Sequence, residues 1–131
     1  TAFAIPSFAH QIIEIERGNA SEIEVGNLDA VRDFSDVKDI VRAYELLLDK
    51  GATGEVYNIG SGEGHSIKEM LSLLIAQSTA EITVTEREDR MRPLDIPVSI
   101  ADNEKITALG WHSEYQIQDT VKRIVDWHRN Q

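Results

Sequence analysis

Asp36-Val37-Lys38-Asp39-Ile40-Val41-Arg42-Ala43-Tyr44-Glu45-Leu46-Leu47-Leu48-Asp49-Lys50-Gly51 reads as one helix, and its flanks decide the fold class. Asp36 offers the side-chain acceptor wanted at a helix N-cap. Val37, Ile40, Val41, Tyr44, Leu47 and Leu48 recur at three- and four-residue steps, a stripe of nearly ideal helical period, and Gly51 closes it. Ahead of it residues 31–34 form an extended run, and behind it residues 55–59 read as a buried strand. A helix set between strands is the unit of an α/β architecture.

The alternation continues outward. Over 5–17 the apolar set Ile5, Phe8, Ala9, Ile12 and Ile13 predicts a helix stopped by Gly18, followed by a short alternating strand at 22–25 and a turn at Gly26-Asn27. Ser66-Ile67-Lys68-Glu69 is a capping box, and Ile67, Met70, Leu71, Leu74 and Ile75 form the inward stripe behind it. Residues 81–85 predict a strand with Ile82 and Val84 on one face. Pro93 and Pro97 punctuate a loop leading to a strand at 98–100, Asp102 caps a short helix ending at Gly110, and Ile117, Val121, Ile124, Val125 and His128 mark a last amphipathic helix. Trp111 and Trp127 are expected to pack where helices meet the core.

At 131 residues and 41% hydrophobic content the chain is sized for one domain that buries roughly two-thirds of its unfolded surface. A formal charge of -10 argues against nucleic acid and anionic membrane as partners. There is no cysteine, and His10, His65, His112 and His128 lack ligand spacing, so no metal site is expected. No apolar run approaches the roughly 20 residues of a membrane span. The chain opens on Thr1 without an initiator methionine, close to what reads as helix interior, and is expected to be a piece of a longer protein.

Gly60-Ser61-Gly62-Glu63-Gly64 stands between strand and helix like a dinucleotide-binding turn, but the third fingerprint glycine falls on His65. It reads as a strand-to-helix turn. Each tyrosine is followed four residues on by Leu48, Ser61 or Asp119, so a Tyr/Lys pair on one helix face is missing, and no serine sits in a nucleophile elbow. The acids Asp29, Asp33, Asp36 and Asp39 read as caps and surface charge. Arg32 is set apart: it precedes a helix N-terminus, and its forked guanidinium suits phosphate, the competing reading being an ion pair with Asp33, Asp36 or Asp39. Arg87, Arg90 and Arg92 alternate with Glu86, Glu88 and Asp89, either a solvated mixed-charge face or a second grip on a polyanion.

Three runs carry a resemblance: Gly26-Asn27-Leu28-Asp29-Ala30-Val31-Arg32-Asp33-Phe34 followed by Asp36 to Tyr44; Gly54-Glu55-Val56-Tyr57-Asn58-Ile59-Gly60-Ser61-Gly62; and Arg90-Met91-Arg92-Pro93-Leu94-Asp95-Ile96-Pro97, with Asp102-Asn103-Glu104-Lys105 and Leu109-Gly110-Trp111 beyond it. Together they resemble the C-terminal half of extended short-chain dehydrogenases acting on nucleotide sugars. Within these the chain is most similar to the GDP-mannose 4,6-dehydratase group and its partner GDP-4-keto-6-deoxy-D-mannose reductases. The dehydratases carry tryptophan, glycine and histidine where this chain has Phe34, Ser35 and Asp36, which tilts the resemblance toward the reductase branch.

The resemblance implies a small mixed α/β lobe of short strands flanked by amphipathic helices, without the Rossmann lobe that holds the cofactor. Residues 1–131 would be a single substrate-binding domain of a longer, cytoplasmic enzyme. It implies that Arg32 and Arg92 contact the nucleotide diphosphate, that the segment with Val25, Asn27 and Leu28 lies by the base, and that Arg90 and, at ribose or sugar hydroxyls, Asp95 assist. Catalytic and cofactor-binding residues are expected outside this chain: NADP or NAD would sit in an N-terminal lobe with its Tyr-x-x-x-Lys pair. The implied partners are a GDP-sugar, that lobe and, in the complete enzyme, a second copy in a homodimer or higher oligomer. The competing expectations are the dehydratase itself, a related epimerase of UDP-sugars, and a non-catalytic module that keeps the nucleotide-sugar surface.

Overall fold

The computed structural model describes residues 3–91 and 96–131. Its helices are α1 (Ala4–Glu16), α2 (Val37–Lys50), α3 (Ile67–Ile75), α4 (Glu104–Ala108) and α5 (Ile117–Arg129). The strands are β1 (Glu22–Val25), β2 (Val31–Asp33), β3 (Gly64–Ser66), β4 (Thr83–Glu86) and β5 (Val98–Ser99), and a 3-10 turn spans Glu88–Arg90. The strands make two small sheets. In one, β1 runs parallel to β4, with Glu22 opposite Thr83 and Val25 opposite Glu86. In the other, β2 is central, antiparallel to β3 with Arg32 opposite His65, and parallel to β5 with Val31 opposite Val98.

The expected helices form, though Asn103 rather than Asp102 stands at the N-cap of α4, where the Asp102 side chain still accepts from the Glu104 amide at 3.2 Å. Asp36 caps α2 by accepting from the Lys38 amide at 2.9 Å. Ser66 and Glu69 close both arms of the capping box on α3. Ile23 and Val25 alternate into the core from β1, where Phe8, Ile12 and Ile13 of α1, Met70, Leu71 and Leu74 of α3, and Val121 and Val125 of α5 enclose them. A second, smaller cluster joins Ala43, Ile106 and Trp111, with Leu46, Leu47, Tyr57 and Ile59 against it. The interior is thus divided between two clusters.

Helix α2 departs from its simplest reading. The apolar stripe is where the period puts it, but most of it faces solvent: Val37, Val41, Tyr44 and Leu48 are 71%, 52%, 59% and 91% exposed. The side turned inward carries Ala43, with Leu46 and Leu47 partly buried beside it, and two acids, Asp36 at the N-cap and Asp39. Asp36 accepts from Thr120 and Arg123 of α5. Asp39 accepts from the amides of Glu114 and Tyr115 and pairs with Arg42 at 2.7 Å, while its carbonyl takes the Trp111 indole N–H at 3.0 Å. Polar contacts seat the helix, so it can turn its apolar side away. Each large apolar side chain left in water forgoes roughly 1.5–3 kcal/mol of burial.

Three other expectations are corrected. Residues 55–59 are neither a strand nor buried throughout: Tyr57 and Ile59 face the second cluster, while Val56 and Asn58 are exposed. The alternation of a strand is present, but among the described residues no strand pairs with it. Trp127 is 60% exposed and rests edge-on against His128, whereas Trp111 is buried as expected. The strand expected over 81–85 begins at Thr83, and Val84 on it is exposed.

Candidate functional site

The chain from the end of β1 to the end of β2 is pinned on several sides. The Val25 carbonyl accepts from the Arg87 amide at 2.9 Å, those of Leu28 and Ala30 accept from Lys68 and Ile67 at the start of α3, and the Val31 amide donates to Pro97. Gly26 is where loop and turn touch: a Cβ there would lie 2.1 Å from the Arg90 carbonyl oxygen. Only glycine permits so close a backbone approach. Asn27 folds the turn locally, its side-chain oxygen accepting from the Asp29 amide at 2.9 Å.

These contacts place the sequence-derived site residues. Val25 is buried in the core, so it offers a ligand no side chain, and Leu28 packs partly against the same core. Asn27 follows Gly26 in the chain, and the Arg90 backbone lies against Gly26. Arg92 and Asp95 lie outside the described residues. Arg90 and Arg87 both grip Glu24 of β1, at 2.7 and 2.8 Å, rather than the acids beside them in sequence. Two guanidinium groups thus share one carboxylate beside the turn.

Arg32 stands on the central strand β2, with Nη1 donating to the Val31 carbonyl at 2.7 Å. None of its three proposed ion-pair partners is engaged with it: Asp36 goes to Arg123, Asp39 to Arg42, and Asp33 to backbone and hydroxyl donors. Directly opposite residues of an antiparallel pair share a sheet face, so Arg32 sides with His65. His65 in turn lines an open cleft of about 480 Å³ with Lys68, Glu69, Ser72, Leu73, Ile117 and Gln118. The arrangement suits an anion: a forked donor on a fixed strand, with no carboxylate against it among the described residues.

Asp33, next to Arg32, does something the sequence did not announce. Its carboxylate accepts from the Ser61 amide (3.0 Å) and hydroxyl (2.6 Å), the Gly62 amide (2.9 Å) and the Ala101 amide (3.2 Å). Asn103 completes the joint by donating to the Gly60 carbonyl at 2.9 Å. The glycine-rich turn therefore spends its amides on an internal carboxylate. A dinucleotide pyrophosphate does not fit there, and the described residues offer no other glycine-rich cradle. A clue was available: an acid immediately after Arg32, on a strand, is poorly placed to be a helix cap.

Burial pushes the Asp33 carboxyl up, but the donors from Ser61, Gly62 and Ala101 outweigh it and hold the group below the ordinary aspartate range. A carboxyl depressed in the folded state stabilises fully above its unfolded value of about 3.9 and loses that contribution as pH falls through the lower folded value. Wild type should therefore lose more unfolding free energy than Asp33→Asn as pH is lowered from about 5 toward 3. Parallel pH dependences in the two proteins, measured by urea denaturation, would contradict the role given to the carboxylate.

Comparison with known proteins follows this geometry. The sequence profile described as GDP-mannose 4,6 dehydratase matches residues 1–124. A GDP-6-deoxy-D-mannose reductase from Pseudomonas aeruginosa is 34% identical over 129 residues, which are 96% of this chain and 42% of that protein. A GDP-6-deoxy-D-talose 4-dehydrogenase from Aggregatibacter actinomycetemcomitans is 32% identical, over 98% of this chain and 42% of that protein. Among solved structures, that of RMD from Pseudomonas aeruginosa complexed with NADPH superposes with a TM-score of 0.91 at 31% identity, covering 98% of this chain and 43% of that one. The chain thus spans about two-fifths of the length of these relatives, and its small mixed α/β fold matches the C-terminal part of extended short-chain dehydrogenases.

Proposed function

Because the chain belongs to the GDP-mannose 4,6-dehydratase family, we propose that it is the nucleotide-sugar-binding lobe of an NAD(P)-dependent GDP-4-keto-6-deoxy-D-mannose reductase. The observation that carries this reading is Arg32, held on a strand pinned at both ends and engaged by none of the nearby aspartates. Arg32 and Arg92 grip the diphosphate, Arg90 adds charge from the loop, and Asn27 and the backbone around Leu28 border the base. Asp95 takes a ribose or sugar hydroxyl. The P. aeruginosa reductase and Phe34-Ser35-Asp36 both favour the reductase branch.

In the complete enzyme the nicotinamide cofactor, NADP or NAD, supplies the hydride. This chain's residues fix the diphosphate and so set where the hexose lies, turning a bimolecular encounter into an oriented one. The turn closed by Asp33 has its Ser61 and Gly62 amides already engaged, and on this reading the cofactor and the proton-transferring residues belong to the rest of the polypeptide. The description of the family favours a second reading, in which the same lobe serves a 4,6-dehydratase. Reduction of GDP-4-keto-6-deoxy-D-mannose with NADPH consumption, against loss of water from GDP-mannose, separates the two.

Arg32→Ala in the complete enzyme should raise the KM for the GDP-sugar about tenfold or more, since one charged hydrogen bond is worth about 1.5–3 kcal/mol. The KM for the nicotinamide cofactor should not move, and lysine should restore little, lacking the fork. An unchanged sugar-nucleotide KM would sink the assignment. Titration with GDP and UDP then tests the base: tighter binding of UDP would favour an epimerase of UDP-sugars.

A further inference from the structure

We propose that His65 and Ser99, which flank Arg32 across the three-stranded sheet, bind the same diphosphate as Arg32, and that the imidazole makes this grip depend on pH. This rests on the reading above that Arg32 holds a nucleotide diphosphate, and adds two ligands to it. Laterally paired residues of neighbouring strands share a sheet face. Arg32 is opposite His65 on β3 and opposite Ser99 on β5, so an imidazole, a guanidinium and a hydroxyl stand in one row about 10 Å wide. The other face differs in kind. Val31 and Asp33 alternate onto it, and the space above Gly64 there is filled by side chains: an added Cβ would lie 2.5 Å from Ile100 Cδ1 and 2.8 Å from Val31 Cγ1. One face of the sheet is packed, and the other carries three donors.

The row is both available and reachable. Among the described residues neither the His65 ring nor the Ser99 hydroxyl has a hydrogen-bond partner, and Arg32 commits only Nη1, to the Val31 carbonyl. Ser99 is exposed, Arg32 and His65 are half-buried, and His65 opens on the cleft of about 480 Å³. The charged groups facing His65 are Arg32 on β2 and Lys68 and Glu69 on α3, while α5 brings Ile117 and Gln118, which carry no charge. Glu69 is turned back on the Ser66 amide and hydroxyl, at 2.6 and 3.1 Å, where it closes the capping box of α3. Two cations and one engaged acid therefore surround the imidazole. An imidazole donates from one ring nitrogen when neutral and from both when charged. An anion seated on the row favours the charged form, and by linkage the charged form favours the anion.

The test is calorimetric titration of the complete enzyme with GDP-mannose at about pH 6 and about pH 8, the range in which histidine side chains change charge. Both phosphates of a nucleotide sugar are esterified, so the ligand lacks the second ionisation near pH 6 of a phosphate monoester. Wild type should bind about fivefold more tightly at the lower pH. His65→Gln keeps a donor but does not titrate, and should bind at both pH values as wild type does at the higher one. His65→Arg stays charged, and should bind at both as wild type does at the lower one. Ser99→Ala should lose about fivefold at either pH. Guanosine, which has no phosphate, should bind every variant within about twofold of wild type, showing that the base site is intact. A wild-type affinity that is equal at the two pH values, or a gain that His65→Gln keeps, would overturn the row; a tenfold loss in Arg32→Ala, about the size expected above, would then leave the proposed function standing. An unchanged affinity in Ser99→Ala would overturn the part given to the hydroxyl. The same His65-dependent gain with UDP-glucose, bound as tightly as GDP-mannose or more so, would support the row and sink the GDP-sugar reading.

Discussion

Asp39→Ala is expected to lower the unfolding free energy by about 3 kcal/mol, one of the two largest effects anticipated for a single substitution here. Asp39 is 1% exposed and serves as acceptor for the amides of Glu114 and Tyr115 as well as for Arg42. Alanine leaves those amides without a partner at about 1–3 kcal/mol each, softened by whatever water enters. Arg42 itself loses less, because Glu114 still pairs with it. Asp39→Asn keeps one acceptor oxygen and should cost about half as much. Urea denaturation decides the matter: a change below about 0.5 kcal/mol for alanine would mean that the buried carboxylate does not seat α2.

Gly26→Ala should strike both stability and binding. The added methyl would stand 2.1 Å from the Arg90 carbonyl oxygen and 2.8 Å from its carbon, and backbone atoms cannot swing aside as a side chain can. The loop over 87–91 must lift, loosening the Arg87 amide from the Val25 carbonyl and both guanidinium groups from Glu24. A loss of about 2–3 kcal/mol in stability is expected for such overpacking. Affinity for GDP should fall about tenfold, since the displaced loop carries Arg90 and leads into Arg92. Retained affinity with reduced stability would show that the loop's position does not matter to the nucleotide.

The helices were legible in the sequence because they carried local signals: an apolar period in α1, α2, α3 and α5, a capping residue before α2 and α3, and a glycine stop after α1, α2 and α4. The capping box at Ser66 and the cap at Asp36 needed no tertiary information. What could not be read was which way α2 faces, because periodicity shows that a helix has two sides without saying which side meets this chain. Residues 55–59 failed for a related reason: a strand needs a neighbour, and a one-chain pattern cannot say where the neighbour lies. Within the candidate site, Arg32 stood out from its position alone. The roles of Asp33 and Asp39 did not, since the backbone amides that donate to them come from residues 28 or more and 75 or more positions away respectively.

Helix α2 also bears on how this family's sequences tolerate change. On an ordinary surface helix the outward positions drift freely and the inward ones are held. Here the inward positions are held by charge and hydrogen bonding, so a swap of Asp39 for a greasier residue is no improvement to the interior despite its depth.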